Sequence, residues 1–555
     1  MKVCLLYENR ERAANAPYYD QKSIIQDLGL SAVFSAAAKE LTYENGELKQ
    51  VEAADLFVLE TFRNVMMTPL LSDEEIVFRQ EIVKDCLRAP KLIRGLYRVS
   101  TAMLAKWNEL GRGARDRIRV GNPVVRLTTE IRVLRLFVDS LAATRYYLNS
   151  FDSVTSRGLQ AFREEFNRVF SEGLEADVRK VLEDIAFYTE GQELRSDGER
   201  ITVLKPRIVF ECGLEDGLKM SSVKLCSVGS EDVKYVRPGS AGAKFRKFVD
   251  AVTKDGVSTV EDAGLTQDTG TLQFGVVSYL LKRQKGWMDG FATFFDQLRL
   301  QSAFYLGAVQ LAEHMQRLKI GWCFPKACDR RDLVFADLKE LSMGLSQRVS
   351  VVGNTCELRG KDVLIVTGAN QGGKSTFLRS VSLAQVMMQS GLPVAAAAFQ
   401  SGIFPRIFVH FTRREDSAMN SGRLDEELRR MNGIVENVGE GSLVILNESF
   451  ATTTEKEGSV IAFDIIRALA EAGVRVLTVT HLLSFAKRVY EEEKNVPDSP
   501  VEFLSAERLP DGTRTFRMIR SEPELTSFGL DLYDAVVGKV ADLATARIAA
   551  EKKAK

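Results

Sequence analysis

A glycine-rich loop followed by lysine and serine offers the clearest chemistry in this chain. The loop fits the pattern G-x-x-x-x-G-K-S/T and consists of Gly368, Ala369, Asn370, Gln371, Gly372, Gly373, Lys374, Ser375 and Thr376. The apolar run 363–366 precedes it and a helix-like segment, 377–384, follows it, so the sequence predicts a strand, a loop and a helix in that order. In such a setting, backbone N–H groups and the helix dipole attract phosphate oxygens.

This loop predicts a nucleoside triphosphate site with Mg²⁺. We expect Lys374 to reach the β- and γ-phosphates and the Ser375 hydroxyl to bind Mg²⁺. The alternative is a glycine turn before an ordinary helix.

A second apolar run, 442–446, ends in Asn447 and Glu448. Phosphoryl-transfer ATPases place a ligand for Mg²⁺-bound water and a water-orienting base at such a strand end. Glu448 suits the base, and Asn447 stands where an aspartate is usual. Its amide oxygen can hold a metal-bound water without adding negative charge, so we expect weaker Mg²⁺ binding or slower turnover. The alternative is a strand whose end is polar for no functional reason.

The chain has three histidines, His314, His410 and His481. His481 follows a third apolar run, 474–480, and comes after Lys374 and Glu448 in the chain. This position favours a sensor of the γ-phosphate over a structural histidine. We predict structural roles for the other two, which lie among apolar and aromatic residues.

Length and composition are those of an ordinary globular protein. The chain has 555 residues, 45% of them hydrophobic and 27% charged, which leaves room for several domains. The formal net charge is zero, which excludes an overall attraction to nucleic acid. Cys323 and Cys328 are the only close pair among seven cysteines, and no second pair completes a zinc site.

The ends and the hydropathy of the chain predict a cytoplasmic protein. Residues 1–8 turn polar too early for a signal peptide. No apolar run approaches the ~18 residues of a membrane helix. We therefore expect no membrane partner.

The spacing of apolar and polar residues along the chain predicts three regions. Residues 1–72 are mixed and have no assigned role. Residues 73–335 have mainly helical spacing, with a β-rich insert at about 201–248 and, from about 272 to 319, one interrupted helix or a pair of helices. Residues 336–555 alternate strand-like and helix-like runs around the glycine-rich loop, which is the α/β pattern.

A basic stretch at 84–135 is the best candidate for contact with nucleic acid. Thirteen basic and four acidic residues give it a charge of +9 by subtraction, which could neutralise phosphates without reading sequence. The arginines proposed to contact DNA are Arg112, Arg115, Arg117 and Arg119. The alternative is a solvated helical face whose arginines pair with acids elsewhere.

Five motifs resemble those of the MutS mismatch-repair ATPases. Residues 367–376, T-G-A-N-Q-G-G-K-S-T, are similar to the T-G-P-N-M-G-G-K-S-T loop of that family. Ser421-Gly422-Arg423 stands where the family has S-G-R-S-T-F, and 447–454 resembles its D-E-x-x-x-G-T-S. Thr480-His481 and 526–530 resemble its A-T-H and S-Y-G-L. The resemblance is strong over about 340–540 and weaker over about 75–335.

The resemblance implies an α/β P-loop (ABC-type) ATPase domain at the C-terminus, after a mainly α-helical core and lever region with a small β-rich insert. It implies ATP and Mg²⁺ as cofactors and a homodimer in which Ser421, Gly422 and Arg423 face the partner's ATP. The insert would be a clamp that touches the DNA backbone.

Three departures from the family pattern bear on function. Leu424-Asp425-Glu426 replaces S-T-F, Asn447 replaces aspartate, and no Phe-x-Glu mismatch wedge is evident. The tripeptide 162–164 has the spacing of the wedge but lies in a helical pattern, so we predict that Phe162 packs in the core.

Two hypotheses follow from the sequence. The first is an ATP-hydrolysing MutS-like homodimer that clamps duplex or distorted DNA, in mismatch repair or recombination, without base-specific mismatch sensing. The second is a nucleotide-dependent protein-assembly switch that does not bind DNA and hydrolyses ATP slowly or hardly at all. The basic stretch favours the first, and the neutral net charge and altered site residues favour the second.

Overall fold

The structure is a computed structural model. It describes residues 3–8, 15–44, 47–51, 53–118, 123–151, 153–173, 175–176, 179, 189–196, 199–206, 208–214, 220–228, 263–412 and 423–523. The chain divides into two compact units. One comprises Met1–Val3, Arg94–Asp152 and Ala161–Arg299, and we call it the helical unit. The other comprises Cys4–Ile93, Ser153–Gln160 and Leu300–Lys555, and we call it the sheet unit.

The elements are numbered along the chain. The helices are α1 (Gln21–Asp27), α2 (Leu30–Ala37), α3 (Leu56–Met66), α4 (Asp73–Arg88), α5 (Pro90–Ile118), α6 (Pro123–Asn149), α7 (Arg157–Val169), α8 (Ala263–Arg317), α9 (Leu341–Gln347), α10 (Lys374–Met388), α11 (Arg423–Asn437), α12 (Glu455–Glu471) and α13 (Leu483–Glu493). The strands are β1 (Leu41–Glu44), β2 (Glu47–Val51), β3 (Thr189–Ser196), β4 (Glu199–Pro206), β5 (Ile208–Leu214), β6 (Met220–Val228), β7 (Lys326–Ala327), β8 (Leu333–Leu338), β9 (Asn354–Leu358), β10 (Val363–Thr367), β11 (Ala398–Ser401), β12 (Ile407–Phe411), β13 (Leu443–Asn447), β14 (Arg475–Val479), β15 (Val501–Arg508) and β16 (Arg514–Arg520).

A six-stranded sheet organises the sheet unit, with the order β12-β13-β14-β10-β15-β16. Its strands run parallel except β16, which pairs antiparallel with β15. Every residue of β10, β12, β13 and β14 is buried. Continuous apolar runs of this kind are typical of parallel strands covered on both faces.

Helices cover both faces of this sheet. On one face, α11, α12 and α13 contribute Met431, Phe463 and Phe485 to a core shared with Ile365 and Val444 of the strands. Because successive side chains of a strand point to opposite faces, the neighbours of these strand residues point the other way. The sheet contacts α10 through β13 and β14. The predicted strands at 363–366, 442–446 and 474–480 are confirmed, as is the helix after the loop.

The N-terminal segment of the sheet unit packs beside the edge strand β12, which α1 contacts. The Tyr19 ring lies 6.2 Å from the ring of Phe408. The backbone oxygen of Asp27 accepts a hydrogen bond from Arg379 of α10 at 2.9 Å. The sequence of residues 1–72 contains no recognisable motif. In the structure, α1 from this range packs beside the edge strand of the sheet.

A second, four-stranded sheet has the order β7-β11-β8-β9. It belongs to the sheet unit and includes Phe335 and Phe399, whose rings stack with centroids 6.3 Å apart. The predicted start of the last region, 336, lies inside β8. The division into three regions remains a prediction, because the compact units follow different boundaries.

The helical unit contains a cluster of aromatic side chains. Phe166 is buried against Phe162, Phe170 and Phe294, with ring centroids 5.2–6.3 Å apart. The predicted core packing of Phe162 is confirmed, since 4% of this residue is exposed.

The strands of this unit form two separate hairpins, β3–β4 and β5–β6. They begin at Thr189, upstream of the predicted insert at 201–248. Within that insert, 207, 215–219 and 229–248 lie outside the described residues. The stretch predicted as an interrupted helix or a pair is one helix of 55 residues, α8. No helix in the described part of the chain combines the length and apolarity needed to span a bilayer.

Candidate functional site

The loop between β10 and α10 has a backbone that depends on glycine. Gly368 has φ +112° and Gly373, at the N-cap of α10, has φ +91°. A Cβ atom on Gly368 would lie 2.8 Å from the backbone nitrogen of Ala506, and one on Gly372 would lie 2.7 Å from Ala506 Cβ. Glycine is therefore required both for the backbone angles and for the close approach of β15.

The side chain of Lys374 folds back onto this loop. It is buried, and its Nζ donates hydrogen bonds to the backbone oxygens of Gly368 at 2.8 Å and Ala369 at 2.9 Å. Ser375 and Thr376 follow in the first turn of α10 and are half-buried.

The other loop residues differ in exposure. Ala369 is buried and Asn370 is half-buried. Gln371 is exposed with φ +60°, and its Oε1 accepts a hydrogen bond from Arg514 at 3.1 Å. The loop therefore presents its backbone and the start of α10 at the end of β10.

Asn447 and Glu448 lie at the same edge of the sheet as the loop. Val479 of β14 pairs with Asn447 of β13, and also with Val366 of β10, in parallel register. Because the carboxyl ends of parallel strands meet at one edge, the residues that follow each strand leave the sheet together.

The Asn447 side chain is buried and has an unusual feature. Among the described residues, its Oδ1 has no hydrogen-bond partner. Buried polar atoms are normally paired with protein, water or an ion, so this oxygen is suited to a ligand that the protein does not itself supply.

Glu448 and His481 form a pair across the ends of β13 and β14. The Nε2 of His481 lies 3.0 Å from the Oε1 of Glu448. The hydrogen bond from His481 lowers the pKa of the Glu448 carboxyl, the nearby charge of Lys374 adds to this, and partial burial opposes it. Glu448 is therefore held as a carboxylate, near enough to Lys374 for the lysine charge to lower its pKa.

The backbone around this pair is fixed by hydrogen bonds. The N–H of Glu448 donates to the backbone oxygen of Val479 at 2.8 Å, and the N–H of Thr480 donates to the backbone oxygen of Val366 at 3.1 Å. Glu448 has φ +56° and Phe450 has φ +66°, both in the left-handed region. Strained angles of this kind persist where the surroundings hold them.

Glu427 of α11 is a residue that the sequence analysis missed. It is buried, its Oε1 accepts a hydrogen bond from the N–H of Phe450 at 2.7 Å, and its Oε2 accepts one from Thr452 Oγ1 at 2.6 Å. Its spacing from Leu424 and Met431, i−3 and i+4, places it on the apolar face of the helix. An acidic residue on that face was the available signal.

A cavity of about 220 Å³ lies beside the loop. Gly373, Thr376 and Phe377 line one side, and Asn354 and Phe516 of the neighbouring strands line another. Phe516 is partly exposed, at 46%. The sequence offered no signal for this cavity, because its residues come from distant parts of the chain.

Some predicted site residues cannot be placed. Ser421, Gly422 and Arg119 lie outside the described residues, as does the motif at 526–530. Arg423 begins α11, and Arg112, Arg115 and Arg117 lie in α5, but their side chains are not among those described. The structure therefore brings together the loop, Asn447, Glu448 and His481, whose roles in binding and hydrolysis stay predictions, and it does not describe the side chains of the other predicted residues.

The start of the basic stretch is partly engaged within the protein. Arg88 contacts Asp85 at 3.3 Å, and Lys84 lies over the ring of Phe324 at 4.8 Å. Among the described residues, no cluster of His, Cys, Asp and Glu could hold a metal ion. A metal in this site would depend on hydroxyl, amide and phosphate oxygens.

Two family models match the chain. MutS domain V matches residues 364–550, which include the loop, Asn447, Glu448 and His481, and the MutS2 N-terminal domain matches residues 72–195. The chain belongs to the MutS family.

Curated relatives of this MutS-family chain carry related names. It is 27% identical over 239 residues to MutS protein homolog 4 of Mus musculus, covering 41% of this chain and 25% of the relative. It is 23% identical over 465 residues to endonuclease MutS2 of Pediococcus pentosaceus, covering 82% and 54%. It is 29% identical over 171 residues to DNA mismatch repair protein MutS of Granulibacter bethesdensis, covering 30% and 18%. The chain thus matches between about a fifth and about half of these relatives' lengths.

We predict that Gly368→Ala will destabilise this MutS-family chain by about 3 kcal/mol, because it adds both backbone strain and a clash with Ala506. Gly360→Ala is the matched control, since Gly360 also has positive φ, +64°, but faces open space. The control should lose about 1 kcal/mol. Urea unfolding of both variants measures the difference, and equal losses would show that the approach of β15 does not constrain the loop.

We predict that His481→Ala will raise the pKa of the Glu448 carboxyl, because it removes the hydrogen bond that favours the carboxylate. His481→Gln, whose amide can still donate, should raise it less. ¹³C NMR of labelled glutamate carboxyls measures the titration, with Glu448→Gln identifying the signal. In the native chain this carboxyl should titrate below the usual range of glutamate. An unchanged pKa in His481→Ala would contradict the pairing.

Proposed function

We propose that this MutS-family chain binds Mg²⁺-ATP at the carboxyl edge of the six-stranded sheet and hydrolyses it. The observation that carries this proposal is the Glu448–His481 pair, 3.0 Å apart, at the sheet edge from which the Lys374 loop also emerges. A phosphate loop alone binds nucleotide, whereas hydrolysis needs a base beside it to orient water.

Lys374 is poised for exchange of its partners. In the described structure, its ammonium group is held by two backbone oxygens of its own loop. Phosphate oxygens are stronger partners for an ammonium group because they carry charge. ATP would therefore draw Lys374 away from Gly368 and Ala369, and the loop N–H groups and the start of α10 would hold the phosphates.

Ser375 and Asn447 would hold Mg²⁺. Both offer neutral oxygens, which Mg²⁺ accepts together with water and substrate phosphates. The unpaired Oδ1 of Asn447 supports this role, because a metal-bound water would satisfy it. Bound Mg²⁺ would offset the charge of the phosphates during transfer.

Glu448 would orient the attacking water, since His481 keeps it ionised and able to accept a hydrogen bond. The water would attack the γ-phosphorus, the bond from that phosphorus to the β–γ bridging oxygen would break, and ADP, inorganic phosphate and a proton would be released. His481 would sense the γ-phosphate from the end of β14 while its Nε2 stays paired with the Oε1 of Glu448. The cavity beside Gly373 and Phe516 would take the nucleobase, with the aromatic ring as a stacking surface.

We propose further that the chain acts as a homodimer on duplex or distorted DNA, in repair or recombination. The support is the family membership, the relative named a DNA mismatch repair protein and the basic stretch at 84–135. Ser421, Gly422 and Arg423 would face the ATP of the partner subunit, and Arg112, Arg115, Arg117 and Arg119 would contact phosphates.

We predict that Lys374→Ala abolishes ATP binding, because it removes the charge that faces the phosphates. Glu448→Gln should keep ATP affinity and lower the turnover rate by about 10²-fold or more. Calorimetric titration with a non-hydrolysable ATP analogue and a phosphate-release assay measure the two properties. Normal affinity of Lys374→Ala, or full turnover by Glu448→Gln, would contradict the proposal.

A second candidate function is a nucleotide-dependent protein-assembly switch. Asn447 favours it, because a neutral amide adds no negative charge near Mg²⁺ and would slow turnover. Both candidates require ATP binding, so nucleotide affinity does not separate them.

Salt-dependent DNA binding separates the two candidates. We predict binding to homoduplex, mismatched and four-way-junction DNA that weakens steeply between low and high salt and changes with ATP, because phosphate contacts release counterions. Fluorescence anisotropy with labelled DNA measures it. An absence of binding at every salt concentration, with and without ATP, would exclude the DNA clamp and favour the switch.

A further inference from the structure

The loop that carries Glu448 is held from behind by α11. Glu448 and Phe450 both have positive φ, and neither is glycine, so the loop does not keep this shape by local preference. Something outside the loop must stabilise it. The contacts described for Glu427 supply that stabilisation.

Glu427 is buried, with 6% of the residue exposed. Its carboxylate binds the loop at two points. One oxygen accepts from the N–H of Phe450 at 2.7 Å and the other from the hydroxyl of Thr452 at 2.6 Å. A buried carboxylate is tolerated where hydrogen bonds replace its hydration, and such charged bonds are strong. Breaking this contact between the helix and the loop would therefore cost a large free energy.

Thr412 extends the contact to the other side of Glu448. Its hydroxyl donates to the backbone oxygen of Glu448 at 2.7 Å and lies 3.5 Å from Glu427 Oε1. The helix α11 is itself fixed to the end of β12, because Arg430 donates to the backbone oxygen of Phe411 at 3.0 Å. Glu427 therefore lies on a helix that is fixed to β12, and it holds the loop after Glu448 while Thr412 holds the backbone oxygen of Glu448.

We infer that Glu427 is a positioning residue for Glu448. By holding Phe450 and Thr452, its carboxylate sets the direction in which the Glu448 side chain leaves β13, and so keeps Glu448 beside His481. The inference rests on the proposed function, since it assigns Glu427 to ATP hydrolysis through Glu448. Glu427 itself does not touch the substrate.

Two variants remove this contact from opposite sides. Glu427→Gln replaces one carboxylate oxygen with an NH₂ group, which cannot accept the hydrogen bond from Phe450 or Thr452 that it faces. Thr452→Val removes the hydroxyl donor and leaves the buried carboxylate unchanged. Displacement of a catalytic group by about 1 Å costs about 10²-fold in rate. We expect kcat for ATP hydrolysis to fall about 10- to 100-fold in Glu427→Gln and less in Thr452→Val, with ATP affinity unchanged. Thr452→Ser, which restores the hydroxyl, should recover the native rate.

The matched control is Glu436→Gln, the same change at an exposed position of the same helix. It should leave kcat and affinity at native values. Combining Glu427→Gln with Glu448→Gln adds a sharper test, because two residues that act through one group give non-additive losses. The double variant should turn over ATP as slowly as Glu448→Gln alone.

The assay is steady-state ATP hydrolysis by the full chain, which gives kcat, with affinity measured by calorimetry and folding by thermal unfolding. The inference is overturned by native kcat in folded Glu427→Gln, by additive losses in the double variant, or by parallel loss of affinity and kcat in Thr452→Val. If the native chain hydrolyses ATP and Glu448→Gln does not, the proposed function stands whatever Glu427 does. If the native chain binds no ATP, the proposed function is wrong, and the role inferred for Glu427 is wrong with it.

Discussion

The parallel register of β10, β13 and β14 is the constraint on which the site depends. Val366, Val479 and Asn447 lie in one row across these strands, so the loop of Lys374, the carboxylate of Glu448 and the ring of His481 leave the sheet at the same edge. A slip of one residue would move each side chain of a strand to the opposite face of the sheet and separate these groups. Burial on both faces of the sheet fixes the register, and in this way packing far from the edge determines the chemistry at the edge.

The charged groups at this edge are compensated by the protein itself. Lys374 is held by backbone oxygens, Glu448 by His481, and Glu427 by an N–H and a hydroxyl. Buried charges require such partners. In the proposed reaction ATP replaces only the partners of Lys374, while the pair and the loop behind it stay in place. Because the site is already ordered when the protein folds, no further free energy is needed to order it during catalysis.

Local signals in the sequence predicted the centre of the site, and they failed where tertiary contacts decide. The strand, glycine loop and helix around Lys374 follow from spacing within a few residues, as do the strand ends at Glu448 and His481. Glu427 was missed because its importance lies in its contacts with the loop at 450–452, and its place on the apolar face of α11 does not show what it contacts. The packing of α1 beside β12 escaped for the same reason, and so did the unbroken α8, where the sequence suggested an interruption.

The most direct test of the account is a crystal structure of the full chain with Mg²⁺ and a non-hydrolysable ATP analogue. The account predicts the phosphates on the 368–376 loop, Lys374 moved from the oxygens of Gly368 and Ala369 onto the β- and γ-phosphates, and Glu448 still paired with His481 and facing the γ-phosphate. A nucleotide bound elsewhere, or Lys374 still bonded to its own loop with nucleotide present, would contradict it.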